Sequence, residues 1–401
     1  MHDSKLDGQQ VTDKKMIARS VIVEGWRSIA HSYAMVNQWQ LLALLRRPDI
    51  AVKVIDLPFY RKRWRPQKGL FRPPDEQILQ SLETARPDER ADVSLRISIP
   101  FDFSPSHSQH TVVFGTSETQ VLREEQFLDP KMFEQLQQAA PPPDLRVVTP
   151  SRWSAEAYYK AGFRNDQVLI VPHGIDADTF CPMPAIRDDV RGKLSFSKDQ
   201  FVFLSIGSMT GNKGIDLLLR AFSVVCQKFP NARLVLKGLD TLYRSNDFLF
   251  KNMQILSDIE KDRIRDRITY LGGSFPNADM AKLYQVADAY VSPYRAEGFN
   301  IPVLEAAACG IPIVCTRGGP TDDFVTDAFA RRIDSQKKQV EFMGQEVSRL
   351  EPNLEHLTAL MSSMIEDRDW RERAVEEGSR HVHANFTWDQ VTEMLVRKLF
   401  N

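Results

Sequence analysis

The stretch from Ala289 to Val314 sets the strongest limits on the fold. An apolar run that suits a β-strand ends at Ser292-Pro293, and a polar loop follows it. Pro302 suits the first turn of a helix, where its missing N–H is not needed, and Gly310 suits the left-handed position just past the helix. Strands and short helices alternate in this way through both halves of the chain, so the sequence predicts doubly wound α/β domains.

The same stretch places two carboxylates around a predicted anion site. The backbone N–H groups of Phe299, Asn300 and Ile301 open the predicted helix, and free N–H groups at a helix start attract phosphates. Glu297 precedes them in the loop, and Glu305 lies on the helix. Because carboxylates accept hydrogen bonds from vicinal hydroxyls, the segment outlines a nucleotide-sugar site. Acids are also favoured near helix N-termini for electrostatic reasons alone, and the spacing leaves that alternative open.

A second strand, loop and helix unit begins with the fully apolar run Phe201 to Ile206. The glycine-containing loop that follows brings backbone N–H groups and a helix N-terminus to one place, which favours phosphate binding. Lys213 adds a positive charge to this loop. We therefore predict that Gly207, Ser208 and Lys213 lie at a phosphate site.

The order and spacing of these residues resemble the retaining glycosyltransferases of family four. The resemblance rests on Glu297-Gly298-Phe299, Glu305 and Gly318-Gly319, and it extends from Leu204 to Gly319, with weaker similarity over residues 20–180. It implies the GT-B fold, in which two doubly wound Rossmann-like domains face each other across a cleft. It also implies a C-terminal helix that crosses back to the first domain.

The resemblance implies roles for the residues around the two loops. Glu305 would hold the ribose hydroxyls and Glu297 the sugar hydroxyls, while Lys213 and the backbone of 299–301 would stabilise the leaving diphosphate. The segment at Leu271 resembles the one whose backbone reads the nucleotide base. These roles make Glu297 and Lys213 the candidate catalytic residues and imply no metal ion or other cofactor.

This chain departs from the family pattern at two places. An arginine is usual five residues before the lysine, and Ser208 stands there instead. Arg317, Lys237 and Arg27 are three cations that could replace it. The family's histidine near the end of a first-domain strand is also absent close to Ser98, and the residues leave open both front-face attack and double displacement.

The first domain supplies the acceptor-side candidates. A strand at 20–23 leads through a loop with Gly25 into a helix from about His31, the opening of a nucleotide-binding unit. Gly25 is a candidate for close approach to the donor, whereas Arg27 and His31 are candidate acceptor contacts. Glu118 is a third, since it follows a strand where the interdomain cleft is expected. An ion pair or a helix cap would explain Arg27, His31 and Glu118 equally well.

A basic and aromatic loop runs from Tyr60 to Arg72 in an otherwise neutral protein. The chain has 52 lysines and arginines against 53 acidic residues, so no global field recruits nucleic acid. The charges of Arg61–Arg72 have two interpretations, a solvated surface loop or a contact for an anionic acceptor or an anionic membrane surface.

Length and composition bound the organisation. At 401 residues the chain suits about two domains. We expect an acceptor domain at 1–174, with 1–18 disordered, a donor domain at 175–385, and a returning helix at 386–401. The pattern between about 335 and 380 favours charged helices. The four cysteines lack C-x-x-C spacing, which favours reduced thiols in a cytoplasmic protein. No apolar run approaches 18 residues, so we expect no membrane-spanning helix. Peripheral contact with a membrane through the basic loop stays open.

The sequence therefore predicts a metal-independent, retaining glycosyltransferase that moves a sugar from a nucleoside-diphosphate sugar to an unidentified acceptor. Two alternatives remain. One is a nucleotide-sugar epimerase or hydrolase on the same fold. The other is a non-catalytic binding or scaffold protein, which the serine at 208 and the absent histidine motivate.

Overall fold

The computed structural model describes residues 19–400, so the lead-in predicted to be disordered at 1–18 lies outside the described residues. The first sheet is wholly parallel and is followed in the chain by a second parallel sheet. The strands of the first sheet are β1 (Arg19–Gly25), β2 (Ile50–Asp56), β3 (Val93–Ile97), β4 (His110–Phe114), β5 (Leu145–Thr149) and β6 (Val168–Ile170). Their order across the sheet is β2-β1-β3-β4-β5-β6.

The second sheet has six parallel strands as well. They are β7 (Phe201–Ile206), β8 (Ala232–Lys237), β9 (Ile268–Leu271), β10 (Ala289–Ser292), β11 (Ile313–Thr316) and β12 (Ala330–Ile333). Their order is β12-β11-β10-β7-β8-β9, so β7 and β10 are neighbours, and Phe203 pairs with Ala289. After β7 the chain adds β8 and β9 on one side of it, and it then crosses to the other side of β7 to add β10, β11 and β12. The loops after these two strands therefore meet at the switch point where ligands bind in such sheets.

Helices cover the sheets, as the alternation predicts. In chain order they are α1 (Ser32–Leu45), α2 (Pro73–Gln80), α3 (Pro130–Gln138), α4 (Arg152–Lys160), α5 (Arg187–Lys193), α6 (Ile215–Lys228), α7 (Asp240–Tyr243), α8 (Ser245–Gln254), α9 (Asp258–Ile264), α10 (Asn277–Tyr284), α11 (Ile301–Ala308), α12 (Leu354–Glu366), α13 (Arg368–Asn385) and α14 (Trp388–Phe400). None of the helices within 19–400 combines the length and the apolar character needed to cross a membrane. The four cysteines are free thiols.

The last helix, α14, belongs to the core of the first domain. Trp388, Val391 and Leu395 are buried among the side chains of the first sheet and of α1. The N–H of Ile175 donates to the carbonyl of Phe386 at 2.8 Å, and the N–H of Trp388 donates to the carbonyl of Ile175 at 3.1 Å. The two segments in which the chain passes between the domains, near residues 175 and 387, therefore run side by side. The predicted fold class, including the returning helix, is confirmed.

The helical expectation for the region after 335 is wrong over its first part. An antiparallel hairpin, β13 (Ser335–Phe342) and β14 (Gln345–Pro352), precedes α12. Val347 and Leu350 of β14 are buried, whereas no residue of β13 is buried and only Val340 and Phe342 in it are apolar. The hairpin also reaches the first domain, because the N–H of Ser348 donates to the carbonyl of Thr119 at 3.0 Å.

Candidate active site

A buried ion pair lies where the loops after β7 and β10 meet. The Lys213 ammonium donates to Oε1 of Glu297, and the two side chains are 21% and 9% exposed. Burial by itself lowers the pKa of Lys213, but the carboxylates of Glu297 and Glu118 outweigh burial and hold that pKa above its ordinary value. Burial raises the pKa of Glu297, and the Lys213 ammonium offsets only part of that effect. Lys213 therefore stays positively charged beside a carboxylate that binds protons more readily than usual.

The two loops are fixed to each other by further polar contacts. Arg295 makes a two-pronged contact with Asp216 at the start of α6, at 2.6 and 2.9 Å, and a further ion pair with Glu351 of β14 at 3.0 Å. The N–H groups of Arg295 and Ala296 donate to the carbonyl of Asn212, at 2.7 and 3.2 Å. These contacts fix the position of the Lys213 loop relative to the Glu297 loop, so the ion pair is preorganised.

Backbone N–H groups line both loops without intramolecular acceptors among residues 19–400. One set runs from Ser208 to Asn212, and the other from Gly298 to Ile301 at the start of α11. Asn300 has left-handed backbone angles, with φ of 79°, and its amide donates to Ser292 Oγ at 2.9 Å rather than capping the helix. The two sets place N–H donors on both sides of the ion pair, as an anionic diphosphate requires.

Glu305 lies one turn into α11. Its Oε2 accepts a hydrogen bond from the hydroxyl of Tyr284 at 2.7 Å, and Oε1 has no partner in the described part of the chain. Burial raises the pKa of Glu305 to about 7, although the Tyr284 hydrogen bond acts in the opposite direction. One carboxylate oxygen thus remains available for ligand hydroxyls.

The first domain touches the site at Gly298. A Cβ atom at this glycine would lie 1.8 Å from Cγ2 of Thr116, and the Gly298 carbonyl accepts from Ser151 Oγ at 2.6 Å. Glu118 accepts from the side-chain amide of Asn212 at 2.9 Å. Glu118 therefore lies beside the loop that carries Lys213, and its carboxylate contributes to the field at that lysine, whereas its role as an acceptor contact stays a prediction.

Some of the predicted residues have partners elsewhere. Arg27 pairs with Asp56 at 2.6 Å, so its guanidinium is held at the end of the first sheet. A Cβ at Gly25 would lie 2.7 Å from the carbonyl of Ile97, so this close approach is made to the domain's own backbone. Packing and an ion pair within the first domain explain these two residues without a ligand, and their roles at the site stay predictions.

The two other cations proposed to replace the missing arginine are also engaged. Arg317 is half exposed and pairs with Asp334 at 3.4 Å. Lys237 is buried, and its ammonium donates to the carbonyls of Gly238 and Gly273, the latter at 2.6 Å. Neither contacts the Lys213–Glu297 pair. Burial lowers the pKa of Lys237 to about 8.

Three more predicted residues have clear positions. Ser208 bonds to the hydroxyl of Thr210 at 2.8 Å, inside the loop after β7. The carbonyl of Leu271 already accepts from the N–H of Gly238 at 2.9 Å, so this oxygen is occupied by the sheet edge. His31 caps α1 by accepting from the N–H of Tyr33, and burial lowers its pKa to about 4, which makes it neutral.

Sequence reasoning missed Asp216, Arg295, Asn212 and Tyr284, which hold the site together. A signal was present for the first three, because they lie in or beside loops that follow strands β7 and β10. The adjacency of these strands is the expected topology of a doubly wound sheet. Within 19–400 no group of three or more histidine, cysteine or acidic side chains has the arrangement of a metal site.

Comparison with known proteins matches residues 186–380 to the family of glycosyl transferases group 1. The lipopolysaccharide 1,2-N-acetylglucosaminetransferase of Salmonella typhimurium is 25% identical over 262 residues, which cover 65% of this chain and 63% of that protein. The D-inositol 3-phosphate glycosyltransferase of Pseudarthrobacter chlorophenolicus is 31% identical over 173 residues, which cover 43% of this chain and 39% of that protein. The chain thus spans less than two thirds of the length of these curated relatives.

Solved structures resemble the described chain over nearly its whole length. Anabaena Alr3699/HepE, in a complex with UDP and glucose, superposes with a TM-score of 0.65 at 15% identity, covering 95% of this chain and 99% of that one. A glycosyltransferase from Rickettsia africae superposes with a TM-score of 0.68 at 12% identity, covering 95% and 98%. At such identities the likeness concerns the fold.

Proposed function

We propose that the protein transfers a sugar from a nucleoside-diphosphate sugar to an acceptor, because residues 186–380 match the group 1 glycosyl transferases and the described chain has the GT-B fold. The buried Lys213–Glu297 pair, set between two rows of free backbone N–H groups, is the observation that carries the proposal. The acceptor side is residues 1–174, and the donor side is residues 175–385.

The donor is proposed to bind with its diphosphate across the two loops. The N–H groups of 208–212 and 298–301 and the ammonium of Lys213 surround one place, and each favours negative charge there. Glu305 offers Oε1 to the ribose hydroxyls, with Tyr284 holding the other oxygen. HepE of Anabaena, a structural relative, is described in complexes with UDP and with UDP-glucose, which supports a nucleotide-sugar donor.

The chemistry follows from where charge develops. The acceptor oxygen forms a bond to the anomeric carbon, the bond from that carbon to the diphosphate oxygen breaks, and the acceptor proton passes to the leaving diphosphate. Lys213 and the N–H groups stabilise the growing negative charge, a contribution that commonly dominates catalysis. We propose that these donors supply this stabilisation without a metal ion.

Glu297 is proposed to orient both Lys213 and the hydroxyls of the transferred sugar. Its Oε1 accepts from Lys213, so the ammonium is aimed by a side chain that is itself nearly enclosed. Retention of the anomeric configuration is proposed from the likeness to family four. The free thiols, three of them buried, support a reducing cytoplasm as the location.

A panel of nucleotides tests this function. Thermal melting is measured with UDP, GDP, ADP and dTDP and their sugar conjugates, for the wild type and for Glu305→Gln. A ligand at about 100 times its Kd stabilises by about 2.7 kcal/mol, which raises Tm by several degrees. We expect one nucleotide to raise Tm, and the variant to bind it at least about tenfold more weakly because hydrogen bonds to a charged group are lost.

Glu372→Gln is the matched control, since Glu372 is an exposed helix glutamate that pairs with Arg368 away from the site. Absence of a shift with every nucleotide would refute the donor site and favour the scaffold alternative. Release of free sugar and nucleotide at turnover rates in the absence of any acceptor would instead identify a hydrolase.

A further inference from the structure

A cleft of about 570 Å³ lies between the domains beside the proposed donor site. The basic loop forms one wall, with Arg61, Arg63 and Trp64, and residues of α7 and α8 form the opposite wall. The loop is attached to the second domain, because the N–H of Asn277 donates to the carbonyl of Leu70 at 3.1 Å. The charged side chains of the loop are exposed, and those of Arg61 and Arg63 also line the cleft, so both interpretations of the loop stay open at this point.

The cleft is strongly positive. Its cations are Arg61, Arg63, Arg123, Arg244 and Lys251. Two of them are neutralised, Arg123 by a glutamate at 2.9 Å and Arg244 by an aspartate at 2.7 Å. For Arg61, Arg63 and Lys251, no carboxylate within 19–400 lies at ion-pair distance. Three unneutralised cations facing one space favour a ligand that carries more than one negative charge.

The inner wall adds a buried donor without a partner. Trp64 is 7% exposed, lines the cleft, and packs edge-on against Trp26 at 5.6 Å. Its indole N–H has no hydrogen-bond acceptor in the described chain. Buried donors are normally satisfied, so a ligand acceptor at this indole would complete its hydrogen bonding.

The cleft ends at the donor loop. Thr210 lines it, and the Thr210 hydroxyl donates to the side-chain oxygen of Asn212, whose amide donates to Glu118 at 2.9 Å. A molecule in the cleft therefore reaches from the basic rim to Thr210, whose carbonyl accepts from the N–H of Lys213 at 3.0 Å. This is the arrangement expected of the second substrate of a transfer reaction.

We infer that the acceptor is a phosphate-bearing polyol, with its phosphate at Arg61, Arg63 and Lys251 and a hydroxyl directed towards Thr210 and Glu118. This rests on the proposed function and names its substrate class. In the reaction the acceptor hydroxyl oxygen bonds to the anomeric carbon, its proton leaves with the nucleoside diphosphate, and the acceptor phosphate remains unchanged.

The test measures binding directly, without turnover. Isothermal titration uses D-glucose 6-phosphate, with D-glucose as the neutral match, and co-sedimentation uses phosphatidylcholine vesicles with and without phosphatidylglycerol. The probes distinguish a free phosphate ester from a lipid phosphate. We expect the phosphorylated probe to bind and the neutral one not to, with binding weakened by salt.

Variants locate the site. Arg61→Gln/Arg63→Gln and Lys251→Gln should each weaken binding of the phosphorylated probe by about tenfold or more, the effect of losing a charge-assisted hydrogen bond. Arg265→Gln/Arg368→Gln is the control, because both arginines are exposed and pair with a helix neighbour outside the cleft. Nucleotide binding should be unchanged in all of these variants.

The outcomes separate the two proposals. Binding of the sugar phosphate that depends on Arg61, Arg63 and Lys251 supports a soluble acceptor, and vesicle binding with the same dependence supports a lipid phosphate. Binding that is absent for both probes, or equal in the cleft variants and the control, would overturn the inference while leaving the nucleotide result intact. Loss of nucleotide shifts in the wild type would refute the proposed function instead.

Discussion

Replacement of Lys213 by methionine tests the central ion pair through its stability and its chemistry at once. Methionine keeps most of the aliphatic length of lysine and removes only the charge and its hydrogen bonds. The change leaves Glu297, whose side chain is 9% exposed, without its cation. Glu118 lies nearby and is also acidic, so it cannot substitute for the ammonium.

The magnitude follows from burial. Removing one partner of a buried pair costs about 3–5 kcal/mol of unfolding free energy, because the remaining charge is uncompensated. Lys213 is about one fifth exposed, so water replaces part of its contact and the cost should lie near the lower end, about 3 kcal/mol. The sign of the pH effect is fixed as well. The ordinary pKa of a glutamate is 4.5, and folding raises the pKa of Glu297 above it. Such a carboxyl lowers the stability of the folded state as the pH rises above 4.5, so Lys213→Met should be least destabilised in acid.

Urea unfolding followed by circular dichroism measures this cost for Lys213→Met, Glu297→Gln and the double variant. Because the double variant has no uncompensated charge, it should recover most of the loss, with a coupling of about 2 kcal/mol in the cycle. Lys228→Met is the matched control, since it breaks the exposed Lys228–Glu366 pair on α6 and should cost below about 1 kcal/mol.

Activity provides the second measurement. Loss of one preorganised donor costs about 10²–10³ in kcat, so Lys213→Met should fall by that factor once a donor is known. Equal stability of Lys213→Met and wild type above neutral pH would refute the buried pair as a structural element. Near-full turnover of the folded variant would refute the catalytic role of Lys213.

Two further predictions concern Glu305 and Gly298. Because the pKa of Glu305 is raised to about 7, its ionised form is lost below that value, and titrations should show that the affinity for the nucleotide that raises Tm falls by about tenfold per pH unit below it. Glu305→Gln should bind weakly at every pH, and an unchanged slope in this variant would contradict the assignment. Gly298→Ala forces Cβ onto Cγ2 of Thr116 and should cost about 1–3 kcal/mol in denaturant titrations. Thr116→Ser removes that carbon, so the double variant should recover stability, and failure to recover would place the strain elsewhere.

The alternation of apolar strands and helices was sufficient to predict the first sheet and every strand of the second except β12 at its edge. The run Phe201 to Ile206 is β7 as expected, and the predicted helix between Pro302 and Gly310 is α11. Long apolar runs predict buried parallel strands because both faces of such a sheet are covered. The hairpin at 335–352 was missed because β13 has only two apolar residues, Val340 and Phe342, and because β14 makes a contact distant in sequence, in which the N–H of Leu350 donates to the carbonyl of Arg295.

The site was predictable in part for a similar reason. Lys213 and Glu297 are far apart in the chain, and only the adjacency of β7 and β10 brings them together, which topology rules anticipate. The cleft was not predictable to the same degree. The meaning of Arg61 and Arg63 depends on α7 and α8 of the other domain, and local composition does not contain that juxtaposition.

The returning helix α14 has a consequence for synthesis on the ribosome. The core of the first domain includes Trp388, Val391 and Leu395, which are made about 220 residues after the last strand of its sheet. At about 5–20 residues per second, roughly 10–40 s pass before this helix can dock. During that time the face of α1 that receives it remains uncovered, so the first domain to emerge completes its core only after the second has been translated.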